Sequence, residues 1–72
     1  MERHIGDVYY VPGFLLTELK KMHSDIKTNR LTIKSIDTSK AVTFYRFKET
    51  KYIGTDMILN MCVFKERSEK DV

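Results

Sequence analysis

Val42-Thr43-Phe44-Tyr45-Arg46-Phe47-Lys48 sets three aromatic residues among two cations in the middle of a 72-residue chain. A run this rich in β-branched and aromatic side chains reads as a strand. Its pairing with a neighbour decides which rings are sealed in a core and which face water. Around it, residues 20–51 hold nine Lys/Arg against three acids, Asp25, Asp37 and Glu49, a local balance of +6. The flanks are acidic, −2 over residues 1–19 and −1 over residues 52–72, so the formal net charge of +3 hides a polarised chain.

Residues 30–36 read as the partner strand, with Asp37-Thr38-Ser39-Lys40 as the turn. A two-residue and a four-residue loop both set Ile36 opposite Ala41. In that register Leu31, Ile33, Val42 and Phe44 share a core face, while Arg30, Thr32, Lys34, Thr43, Tyr45 and Phe47 share the other. The second face is the candidate site. Tyr45 and Phe47 are its expected stacking or packing anchors, and Arg30, Lys34, Lys48 and Lys51 its contacts to phosphate or carboxylate, with Arg46 at the rim of the opposite face. A plainer reading stands beside it, in which the two rings pack beneath a helix and the charges only solubilise a strand.

Asp7-Val8-Tyr9-Tyr10-Val11, introduced by Gly6 and stopped by Pro12-Gly13, predicts a first strand. Leu15, Leu19, Met22 and Ile26 then recur at helical spacing and predict a helix over 13–27, with Pro12 in its first turn and Asn29 as its C-terminal cap. Further strands are expected at 41–48 and within 57–65. In the last of these, Met57, Leu59, Met61 and Val63 alternate with Ile58, Cys62 and Phe64, as in a strand buried on both faces. Residues 56–60 also read as one short helical turn. The expected fold is α+β, about four strands with one helix in the order β-α-β-β-β, forming one domain over 1–65 with a flexible charged tail over 66–72. Gly6, Gly13 and Gly54 are read as turn or cap positions.

A chain of this length buries only about 60% of the surface its unfolded form exposes, and the lone Cys62 excludes an internal disulfide. Packing or a partner must supply the stability. An unpaired thiol, no apolar run of membrane-spanning length and no signal-type N-terminus give the expectation of a soluble cytoplasmic protein. Catalysis finds little support. His4 and His23 lack a partner motif, Cys62 has apolar neighbours, and neither a zinc-ligand spacing nor a glycine-rich phosphate loop is present. The expectation is a non-enzyme with no metal and no cofactor.

The opening Ile5-Gly6-Asp7-Val8-Tyr9-Tyr10-Val11, the charged hairpin and the Gly54 segment leading to Met57-Ile58-Leu59 together resemble the small SH3-like β-barrels of the KOW and Tudor kind, over residues 5–65. The resemblance implies a partly open barrel and a non-enzymatic binding module for nucleic acid or nucleic-acid-handling complexes. In size and in Lys, Ile and Thr content the chain also resembles small orphan bacteriophage proteins that bind host enzymes, which implies an inhibitor or adaptor docking on a host protein such as a transcription or replication enzyme. The expected partners are therefore nucleic acid or an acidic protein surface, with homodimerisation through the apolar C-terminal strand and no membrane.

Overall fold

The computed structural model describes residues 3–66. Its elements are β1 (Val8–Tyr10), α1 (Gly13–Met22), β2 (Arg30–Asp37), β3 (Phe44–Phe47), β4 (Ile53–Thr55), α2 (Asp56–Asn60) and β5 (Val63–Glu66). The α+β class holds, but the described residues form five strands and two helices, against the four and one expected. The strands form one antiparallel sheet in the order β4-β3-β2-β1-β5, curled into a half-barrel. The short connection through α2 requires that curl. From Thr55 to Val63 the chain reaches at most roughly 17 Å, whereas five flat strands would hold the two edges about 19 Å apart.

The helix α1 starts after Pro12, whose φ of −66° and ψ of 157° lead into the first turn, and it stops five residues sooner than its apolar spacing predicts. His23 caps it by donating its backbone N–H to Leu19 O, and its ring packs on Tyr52 at 4.7 Å. The chain must turn back here because β2 begins at Arg30, opposite Tyr10. Leu15 and Leu19 enter the core from the helix and Ile26 enters it from the following loop, but Met22 is 69% exposed.

The main difference from expectation lies in the hairpin. Ile33 pairs with Phe47 and Ile36 with Tyr45, and a bulge intervenes between Ile33 and Ser35. At Ile33 the register is displaced by three positions, an odd number, so β3 turns its other face inward. Tyr45 and Phe47 are 5% and 1% exposed and belong to the core, while Val42, expected there, is 49% exposed in the loop. That loop runs over residues 38–43 because the Asp37 carboxylate accepts bonds from Ser39 N–H and Oγ at 2.9 and 2.6 Å, bending the chain before Ala41 can pair. Burial of each ring contributes roughly 1.5–3 kcal/mol throughout the life of the fold, which decides their placement in so small a chain.

The core is completed by Tyr9, Val11, Leu31 and Leu59, with Ile36, Tyr52, Ile58 and Cys62 packed on it. Arg3 closes one end. Its side chain is 8% exposed, its Nη1 and Nη2 donate to Asp56 Oδ1 at 2.6 Å and Asn60 Oδ1 at 2.8 Å, and its guanidinium lies 5.7 and 5.8 Å from the ring centres of Tyr9 and Tyr45. Residues 56–60 take the short helical form, so no two-faced buried strand covers 57–65. Met57 and Val63 are exposed, and β5 is an edge strand. Of the expected tail, Glu66 ends β5 and residues 67–72 lie outside the described residues.

Gly54 stands within β4 opposite Tyr45, not in a turn. A Cβ there would meet Phe47 Cε2 and Cζ at 3.1 and 3.2 Å, and that ring is fully buried and stacked on Tyr52. Gly54→Ala is expected to lower unfolding free energy in urea by about 1–3 kcal/mol, the overpacking cost exceeding the gain from a stiffer unfolded chain. Phe47→Leu in the same chain should relieve part of the loss. A neutral or stabilising Gly54→Ala would show that the ring can move aside.

Candidate functional site

Period-two alternation on β3 sends Tyr45 and Phe47 inward and leaves Phe44, Arg46 and Lys48 on the outer face. The bulge in β2 exposes Lys34 beside them, and the loop after β3 adds Lys51. Lys34, Arg46, Lys48 and Lys51 thus line one open concavity of about 570 Å³, together with Asp25 and Glu49. That volume falls within the few hundred to about 1,000 Å³ of small-molecule clefts.

Both carboxylates in this concavity are engaged by the fold. Glu49 accepts Thr32 N–H at 2.7 Å and Thr32 Oγ1–H at 2.6 Å, and Arg30 Nε lies 3.8 Å away. It supplies Thr32 with an acceptor just where β3 ends. Asp25 accepts Lys51 N–H at 2.6 Å and Thr50 Oγ1–H at 2.9 Å, tying the loop after β3 to the loop after α1. Among the described residues none of the four lining cations forms an ion pair. The concavity therefore keeps a local cation excess, which a bound anion would relieve.

Of the six expected site residues, Lys34, Lys48 and Lys51 come together here, and Arg30 lies nearby, exposed and paired with Glu49. Tyr45 stays in the core, and Phe47 borders the concavity but is only 1% exposed. The Tyr45 hydroxyl donates to Asp56 Oδ1 at 2.7 Å, and burial together with that carboxylate raises its pKa, so it remains a donor. Arg46, expected on the opposite face, also lines this concavity, and Phe44, expected in the core, lies on the same outer face. Spacings of two and four from Lys48 put all three on one side of a strand, and the pairing with residues 30–36 decides which side that is.

A second, smaller concavity of about 320 Å³ adjoins the first, and Arg46 lines both. Phe44 and Ile53 form its apolar walls, and Asp37 and Lys40 complete it. Asp37 stays ionised well into acid because Ser39 donates two bonds to it and Lys40 and Arg46 lie near.

The remaining chemistry-bearing groups lie elsewhere. Burial pushes the Cys62 thiol from 9.0 up to about 11, against a smaller opposing effect of Arg3. Among the described residues no group of three or more His, Cys, Asp or Glu could hold a metal ion, and no helix is long and apolar enough to cross a membrane. Comparison with protein-family models, curated proteins and solved structures gives no match.

Two outcomes follow from these titrations. Asp25 is held below the ordinary carboxyl value of 3.8, first by the Lys51 N–H and then by the Thr50 hydroxyl. Its stabilising contribution is complete above that value and is lost as pH falls through the lowered one. Thermal midpoints should therefore fall more steeply on acidification below about pH 4 in the wild-type chain than in Asp25→Asn; parallel curves would contradict the latch. Cys62 is expected to react with iodoacetamide at pH 8 about two orders of magnitude more slowly in the folded than in the denatured protein. Equal rates would show the thiol open to water.

Proposed function

We propose that this protein is a non-enzymatic binding domain for nucleic acid, holding the phosphate backbone with Lys34, Arg46, Lys48 and Lys51. The observation that carries the reading is the convergence of these four cations on one concavity whose two carboxylates are occupied by internal hydrogen bonds. A face serving only solubility would be expected to intersperse charges of both signs and to pair them. In this reading the hairpin is the binding element, and its anchors are cations on the outer face, since the two rings expected to stack are in the core.

The rival reading, an inhibitor or adaptor that docks on a host protein or on a second copy, draws on another surface. The open edge of β5 carries the exposed Val63, and Met57 and Met61 lie exposed on and after α2. Methionine-rich apolar patches suit adaptable protein contacts.

Fluorescence anisotropy with a labelled mixed-sequence oligonucleotide separates the two. Affinity should fall steeply with salt, with a logarithmic slope of roughly −3 for four contacts to a single strand. Lys34→Ala, Arg46→Ala and Lys48→Ala should each weaken binding whatever the base sequence and lessen the slope by about 1, while Lys20→Ala on α1 should leave it unchanged. Binding indifferent to salt and to these three substitutions would refute the proposal. Protein capture lost on Val63→Lys but not on Arg46→Ala would transfer the function to β5.

A further inference from the structure

On the outer face, the cross-strand rows are Thr55, Phe44 and Asp37, then Ile53, Arg46 and Ser35. Phe44 is half-buried, and among the described residues it belongs neither to the core nor to the apolar side chains packed on the core. Its ring therefore lines the concavity it shares with the exposed Ile53. An aromatic placed in this way contributes little to folding. With Ile53 diagonal to it on β4, it forms two apolar walls of a slot whose rim carries Lys40 and Arg46.

A phosphate does not suit that slot. Asp37 stands at its side as a carboxylate, and its two bonds from Ser39 both go to Oδ1. An ionised carboxylate repels a phosphate, whereas a flat, neutral heterocycle with N–H donors meets it without penalty. Just beyond, the first concavity adds Lys34, Lys48 and Lys51, and Arg46 belongs to both. Phe44 and Arg46 are two residues apart on one strand, about 7 Å, comparable to the reach from a base to the phosphate of its own nucleotide. The outer face thus offers, in order along β3, an aromatic wall, a shared cation and a cluster of cations.

Resting on the reading of the cationic concavity as a nucleic-acid site, we propose that the slot between Phe44 and Ile53 receives one unstacked base while Arg46 holds the adjoining phosphate, so that the ligand is single-stranded. In a duplex the base faces are covered by their neighbours, and none is free to enter such a slot. Phosphate contacts alone would not distinguish a single strand from a duplex in this way.

The test compares three fluorescein-labelled probes of equal length: a mixed-sequence single strand, its blunt duplex and a single strand of abasic residues. The full 72-residue chain should prefer the base-bearing strand to the abasic one by roughly 5- to 150-fold, the range of one aromatic stack. Phe44→Leu, which keeps apolar bulk in β3, should erase that preference, while Lys34→Ala should weaken both probes alike. The chain contains no tryptophan, so the indole introduced by Phe44→Trp is a direct reporter. Its emission should be quenched by the base-bearing strand and not by the abasic strand. This readout does not depend on Phe44→Leu folding normally. Equal affinity for base-bearing and abasic strands, preference for the duplex, or an unquenched indole at saturation would overturn the base slot; the backbone site would survive if Arg46→Ala still weakened binding. If none of the probes bound, or if polyglutamate bound better than all of them, the nucleic-acid reading would fall and the slot with it.

Discussion

The extra residue that β2 carries at Lys34 is the constraint on which both faces of the sheet depend. A regular ladder has a period of two, so Ile33 and Ile36, three apart, cannot both point inward from an unbroken strand. The bulge returns Ile36 to the inner side opposite Tyr45 while Ile33 stays opposite Phe47. It also leaves Lys34 on the outside, near Arg46 and Lys48. One irregularity in the backbone thereby seals the core and assembles the cations.

The core and the outer face make opposite demands on the same short strand. A chain of this size has few large apolar side chains to bury, and rings left outside to await a ligand would forfeit stabilisation needed at all times. Tyr45 and Phe47 therefore go inside, where Gly54 admits the Phe47 ring and Asp56 meets the Tyr45 hydroxyl. Arg3 adds its charge to that end of the half-barrel, paired with Asp56 and resting against Tyr9 and Tyr45. The outer face of β3 keeps what the core does not need: Phe44 and the cations.

The acids around those cations are engaged by the fold. Glu49 replaces a missing rung of the ladder at Thr32, and Asp25 fixes the loop that carries Lys51. Among the described residues neither forms an ion pair with a lysine. Of the cations in residues 20–51, Lys34, Arg46, Lys48 and Lys51 are brought together in space, because the β2–β3 hairpin and the loop after it border one concavity.

The strand and helix periodicities of the chain were sufficient for the α+β class, the first strand, the start of α1, the hairpin and the polarised charge, since each depends on neighbours within a few positions. Even the grouping of Phe44, Arg46 and Lys48 apart from Tyr45 and Phe47 is contained in the alternation of one strand. Which group faces the core is not, because that depends on register, and register was decided by the Asp37 turn, the bulge at Lys34 and the burial of two rings against residues distant in the chain. The early end of α1 and the hydrogen bonds that engage Asp25 and Glu49 have the same origin. They arise from contacts between segments 17 or more residues apart, and local pattern carries no information about such distances.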